Sequence, residues 1–258
     1  MSIMKAIELI KSINGDYYDT EKRFDGWIAG ECEKEIKRVA VCMFPTLKVL
    51  REVAQWGADM LIPHEPTFNH GRDQFVPNQV TLAKKKIVDE SGLVIYRLHD
   101  FMHAAYPDMI YRGFTDALGL SGHYESKKSF VLDEPISALE LAERMETRMG
   151  MAHVRICGSR DHKTTRLTLD CGDPGHGLLD IIREGDFELI VVGELCEWYE
   201  GEYIRDWGEL TNEKAAVTVG HALSERDGMK YLTKELADRY PELEFRYFEC
   251  GEVYTYTK

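Results

Sequence analysis

RVAVCMFPTLKVLREVAQWGADMLIPHEP, residues 38–66, is the stretch on which the fold turns. RVAVCMF is a strand too apolar to have one wet face, and a short Pro-containing turn leads from it into a helix from about Pro45 to Trp56. After Gly57 comes a second apolar strand, ADMLIP, at 58–63. Strand, crossover helix and a second doubly buried strand make a βαβ unit, so the sheet is substantially parallel and covered by helices.

The alternation runs on in both directions. Upstream, MSIMKAIELIKSI reads as a first amphipathic helix and DYYDTEKRFDGWIAGECEKE as a polar connection. Downstream lie a helix over 78–90, the strand LVIYRLH, a helix near 110–119, the strand KSFVL and a helix from Ser137 to Met149. HVRIC, TTRLTLDC, FELIVVG and AAVTV follow as strands, with a helix over GHGLLDIIREG. A helix from Ser224 to Tyr240 and the strand LEFRYFE complete the series. The tail EVYTYTK alternates like an edge strand that pairs across a subunit boundary.

The two halves repeat each other at an offset of 129 residues: Cys42 matches Cys171, Pro45 matches Pro174, Asp59 matches Glu188 and Glu65 matches Glu194. H-x-x-x-H at His99 finds a counterpart in H-x-x-x-E at His221. We therefore expect an α/β fold of two similar, duplicated lobes, 1–125 and 126–258, with mixed, largely parallel sheets covered by helices and a metal site in the cleft between them.

Composition narrows the function. A formal charge of −13 over 258 residues argues against a nucleic-acid partner, which needs a positive field. Six cysteines without a CxxC pair fit reduced thiols, and no apolar run is long enough to span a membrane, so the expected location is cytoplasmic.

His64, Glu65, His99, His103, His221 and Glu225 sit at or just beyond the ends of three apolar strands, where an α/β protein assembles a site. Imidazoles mixed with carboxylates suit Zn, Fe, Mn, Co or Ni better than Mg or Ca, and six groups exceed the demand of one tetrahedral ion. The expected cofactor is thus a pair of divalent transition-metal ions. His103 shares a face with His99 if Asp100 starts a helical turn, and Ser224 is a candidate cap for the last helix. Glu65 is placed to bridge the ions, while His99 and Glu194 are candidate proton carriers.

These motifs resemble the dinuclear-metal family related to the NGG-one-interacting factor three, whose bacterial members are often labelled GTP cyclohydrolase 1 type 2 homologs. The family pattern pairs an H-H-P turn with H-T-N-x-D, a central G-E and a late G-H-x-x-x-E. Here those segments read His64-Glu65-Pro66, HDFMH at 99–103, Gly193-Glu194 and GHALSE at 220–225. Carried over by position, the resemblance implies His64, Glu65, His103, His221 and Glu225 as metal ligands, with one imidazole and one carboxylate exchanged between Glu65 and His103. It also implies two similar lobes and a toroidal homohexamer. Read together, the residues and the resemblance point to a metal-dependent hydrolase of a small polar substrate: a phosphoester, cyclic amide or nucleotide-like molecule. The competing reading is a non-enzymatic metal-binding, delivery or scaffold protein.

Overall fold

In a computed structural model that describes residues 4–19, 24–69, 73–175 and 177–257, the chain is a mixed α/β protein that divides into two compact units. The first unit comprises residues 1–105 and 229–251 and the second comprises 106–228 and 252–258.

The first unit opens with α1 (Ala6–Asn14), which buries Leu9, Ile10 and Ile13, and continues with β1 (Gly26–Ala29), β2 (Arg38–Cys42), α2 (Leu47–Trp56) and β3 (Met60–Pro63). α3 (Gln79–Ser91), β4 (Val94–Arg97), α4 (Asp100–Ala104) and the late strand β11 (Glu244–Phe248) complete it. The sheet order is β1-β4-β3-β2-β11, parallel at every pairing except β1 with β4. Thr46 caps α2 by accepting from Val49 N at 3.2 Å, and Gly57 ends it at φ +74, a left-handed conformation that costs a side-chain residue more. The buried face of α2 presents Val49, Leu50 and Val53, all fully enclosed against Ala40, Leu61 and Ile95. Each such side chain contributes roughly 1.5–3 kcal/mol through burial.

In the second unit come α5 (Met109–Leu118), β5 (Gly122–Tyr124), β6 (Ser129–Ser137), α6 (Ala138–Met149), β7 (Arg155–Gly158) and β8 (Lys163–Asp170). After them run α7 (Gly177–Glu184), β9 (Leu189–Val192), α8 (Glu202–Thr211) and β10 (Ala215–Thr218). α9 (His221–Arg239) begins in this unit. The order is β5-β6-β8-β9-β10-β7, parallel through β8, β9 and β10 and antiparallel at the other pairings. Strands β9 and β10 are buried at every residue, as strands covered on both faces must be.

The duplication is visible in this topology. In each unit a parallel trio linked by two helices carries, beside its third strand, an antiparallel edge strand that precedes the trio in sequence. The offset of 129 carries Gly26–Ala29 onto Arg155–Gly158 and Met60–Pro63 onto Leu189–Val192. The repeated acidic residue does the same kind of work twice. Asp59 accepts from the backbone N–H groups of Lys37 and Arg38 at 2.8 and 3.0 Å, and Glu188 accepts from the Thr164 hydroxyl, tying each middle strand to its neighbour.

Three expectations need correction, and one helix was missed. GWIA, inside the stretch expected to be a polar connection, is the edge strand β1, and its half-buried pattern gave no apolar run to detect. α9 starts at His221 and not at Ser224, whose hydroxyl donates to His221 O at 2.7 Å and accepts from Gly172 N at 2.9 Å instead of capping. The EVYTYTK tail forms no strand over its described residues, 252–257. Glu202–Thr211 is a helix that went unread, because only Ile204 and Gly208 along it are buried, too few positions to display a helical apolar period. His176, in the stretch read as the α7 helix, lies outside the described residues, and so do residues 1–3 of the first helix.

Candidate metal centre

β3 delivers the first site residues. His64 and Glu65 continue directly from it, their N–H groups donating to Cys42 O and Met43 O at 3.1 and 3.0 Å, so the turn is held as an extension of the sheet. His64 is fully buried and its Nδ1 lies 3.0 Å from Leu98 O. A carbonyl oxygen only accepts, so Nδ1 carries the proton and the lone pair is on Nε2, as in metal-binding imidazoles whose second nitrogen is tied to a carbonyl.

β4 delivers the next two. His99 follows its end and His103 sits one turn further along α4, the turn at Asp100 expected from the spacing. Asp25, just ahead of β1, starts that turn: its carboxylate accepts from the N–H groups of His99, Asp100 and Phe101 at 2.6, 2.6 and 3.1 Å. Burial pushes the Asp25 carboxyl up and these three donors pull it back. Asp25→Ala removes the acceptor for all three, and we expect urea unfolding to show a loss of about 1–2 kcal/mol, the upper range for a helix cap. An unchanged midpoint would mean that solvent takes over the capping.

Three rings result. His64 stacks on His99 with centroids 4.5 Å apart, and His103 lies 5.3 and 5.0 Å from the two. One ring nitrogen from each falls within 4.8 Å of the others, close to the spacing of about 3–4 Å that ligand nitrogens take around an ion with Zn–N bonds near 2.1 Å. His99 Nδ1 is 3.0 Å from Asp100 Oδ1, which leaves its Nε2 as the lone-pair nitrogen too. The geometry thus groups His99, read from sequence as a proton carrier, with His64 and His103.

Glu65 is engaged differently. Its Oε2 accepts from Arg97 Nη2 at 3.0 Å, and its Oε1 stands 3.8 Å from His99 Nε2. Arg97 also donates through Nε to His64 O at 2.9 Å and lies over the Phe24 ring at 5.1 Å. Sequence reasoning missed this arginine. The available signal was a cation at the end of an apolar strand, where a buried guanidinium needs a carboxylate.

The second unit carries its own donor set. His221 and Glu225 are one turn apart on α9, with His221 Nε2 3.4 Å from Glu225 Oε2. His221 Nδ1 donates to Glu194 Oε1 at 2.8 Å, so Glu194 orients the ring and fixes its tautomer. Glu194 is itself held at the end of β9 by its N–H on Gly172 O at 2.9 Å. Gly172 decides whether this arrangement has room. It adopts φ +73, and a Cβ there would run into the Glu225 carboxylate and His221 Nε2. Beside it, burial and the Glu225 charge push the Cys171 thiol far up, which keeps it protonated. Glu197, three residues on from Glu194, is exposed and paired with Arg155 at 2.8 Å.

Both sets suit the ions expected from the sequence: imidazoles whose Nδ1 atoms are engaged at His64, His99 and His221, a buried carboxylate, and a glycine cradle that a side chain would fill. A model of the family described as Duf34/NIF3 (NGG1p interacting factor 3) matches residues 1–251. The chain belongs to that family. Within Duf34/NIF3, a curated relative named GTP cyclohydrolase 1 type 2 homolog, from Methanocaldococcus jannaschii, is 27% identical over 101 residues. That match takes in 39% of this chain and only 38% of the relative's length. Among solved structures, protein ybgI, of unknown function, is similar with a TM-score of 0.80 at 21% identity, covering 97% of this chain and 100% of that one. A Bacillus cereus protein related to NIF3 is similar with a TM-score of 0.77 at 14% identity, covering 100% of both chains. At such identities these structures speak for the Duf34/NIF3 fold alone. Among the described residues no helix is long and apolar enough to cross a membrane.

Proposed function

We propose that this protein is a hydrolase of a small polar substrate that uses two divalent transition-metal ions, Zn, Fe, Mn, Co or Ni, with His64, Glu65, His99, His103, His221 and Glu225 as the residues that hold them. The observation that carries the reading is the trio His64, His99 and His103, whose ring nitrogens gather within 4.8 Å while Leu98 O and Asp100 fix two of the tautomers. Such ions, when bound, lower the pKa of water and stabilise developing negative charge. The chain's own contribution is positioning and proton handling. Glu194 holds the Nδ1 proton of His221 through one oxygen and is more than half exposed, so its other oxygen is placed to exchange protons with solvent. Arg97 holds Glu65 against rotation.

Elemental analysis of protein purified without added metal, paired with a hydrolysis screen over phosphoesters, cyclic amides and nucleotides, tests the proposal. Turnover should vanish on chelation and return with the metal found. His221→Ala should lower it by more than the roughly 10–100-fold typical of losing an outer-shell partner, with thermal unfolding unchanged. Full turnover by that variant would sink the reading. Bound ions without turnover on any substrate class would favour metal delivery or a scaffold. A cytoplasmic location and self-association as a homohexamer belong to the same proposal, supported by six cysteines with no CxxC pair among them and by the family resemblance respectively; light scattering of the purified chain reads the second.

A further inference from the structure

A cavity of about 630 Å³ opens beside His221 in the second unit, and residues 252–256 of the tail supply one of its walls. Those residues lie beyond the span that matches the family. The volume suits an organic molecule with a ring system, well beyond the needs of an ion and its waters. Tyr256 is fixed in the wall by two contacts. Its ring meets His153 edge to face, with centroids 4.4 Å apart at 82°, and its hydroxyl donates to Glu252 Oε2 at 2.9 Å.

Charge decides what such a ring can carry. Glu194, Glu197 and Glu252 line the cavity against a single guanidinium, Arg155, and Arg155 already gives Nη1 to Glu197 Oε1 at 2.8 Å. An anionic ligand would enter against three carboxylates with the one lining guanidinium largely neutralised. A ligand that donates hydrogen bonds meets acceptors instead: Glu194 uses Oε1 on His221, Glu197 uses Oε1 on Arg155 and Glu252 uses Oε2 on Tyr256, so each carboxylate has a second oxygen to accept with. Aromatic wall and acceptor rim together select a flat ring with N–H groups at its edge.

We propose that this cavity binds an uncharged, planar nitrogen heterocycle bearing N–H donors, packed against the Tyr256 and His153 rings. That it is the substrate subsite of the His221 centre rests on the hydrolase reading above, and it narrows the substrate class to cyclic amides, amidines and nucleobase-like rings, away from phosphoesters.

Calorimetric titration of the full, metal-free chain with adenine and with benzoate tests this directly. Adenine offers a flat ring with N–H donors, and benzoate a flat ring with a negative charge and none. Adenine should bind at least about tenfold tighter than benzoate, a margin of about 1.4 kcal/mol. Tyr256→Ala should weaken adenine by about fivefold or more, in the range of a lost aromatic contact, with an unchanged circular dichroism spectrum because Tyr256 is exposed. Benzoate binding as tightly as adenine, no adenine heat at millimolar concentration, or a Tyr256→Ala variant that binds adenine normally each overturns the proposal. Metal uptake is measured on the same samples. Ions taken up without adenine binding remove this subsite and leave the metal reading intact, whereas adenine binding without ions does the reverse.

Discussion

Arg97→Leu is expected to destabilise the metal-free chain by about 3–5 kcal/mol, the cost typical of breaking a buried ion pair by removing one partner. Both members of this pair are enclosed: Arg97 is 3% exposed and Glu65 is 7% exposed. The leucine would delete the cation on Glu65 Oε2, the donor on His64 O and the planar group over Phe24 in one step. Glu65→Leu alone removes the carboxylate that Arg97 Nη2 donates to and leaves a buried guanidinium charge without it. The double variant Arg97→Leu with Glu65→Leu should recover most of the loss, because two apolar side chains of similar volume need no desolvation of charge. Urea unfolding of the four proteins after chelation gives the coupling energy. If the single losses simply add in the double variant, Arg97 and Glu65 act independently and the buried pair is not what holds the His64 turn.

How much of this was open to inspection in the sequence depends on where each contact lies along the chain. β2, α2 and β3 were legible because a doubly buried strand is an uninterrupted apolar run and because Gly57 closes the helix between two of them. The turn that carries His99 and His103 was legible for the related reason that positions four apart on a helical turn share a face. The Arg97 contact with Glu65 spans 32 residues, and the Asp25 contacts with α4 span 74 to 76, so no local spacing announces either. β1 hides for another reason. An edge strand of four half-buried residues needs no apolar alternation.

The internal repeat shows the same boundary between local and distant information. Its offset of 129 holds from the edge strands through β3 and β9, then fails, because Met60 and Val94 are 34 residues apart whereas Leu189 and Ala215 are 26 apart. The backbone bonds confirm the new alignment: Leu98 N donates to Pro63 O at 3.0 Å as Val219 N donates to Val192 O at 3.2 Å. On that register His99 corresponds to Gly220 and Asp100 to His221. The likeness of H-x-x-x-H to H-x-x-x-E, which the sequence suggested, is therefore out of step by one residue. The two donor sets are not copies of one ancestral pair of ligands; the duplicated framework presents the same strand end twice, and different side chains occupy it. Glu65 and Glu194 are true equivalents, each with its N–H on the loop after the first strand of the trio, yet one accepts from an arginine and the other from a histidine.

Gly172→Ala should strongly weaken ion binding by the His221 and Glu225 set, and a neighbouring glycine separates the reason from simple strain. Gly172 has φ +73 and Gly175, in the same loop, has φ +60, so alanine at either position adopts a left-handed backbone at a cost of about 1–2 kcal/mol. This strain alone should lower the melting temperature of both variants by about 2–4 °C per kcal/mol for a chain of this size, and Gly172→Ala should lose more because of its collision. Around Gly175 an added methyl has open space, whereas at Gly172 it meets the Glu225 carboxylate and His221 Nε2. Glu225 is 2% exposed and has nowhere to retreat without repacking, so the methyl must displace the pair of donor atoms. In titrations of chelated protein with the native metal, Gly172→Ala should weaken uptake by the second unit's set by at least about 10–100-fold, and Gly175→Ala should leave it unchanged. Equal uptake by the two variants would show that the space beside Gly172 is not where an ion sits, whatever their stabilities.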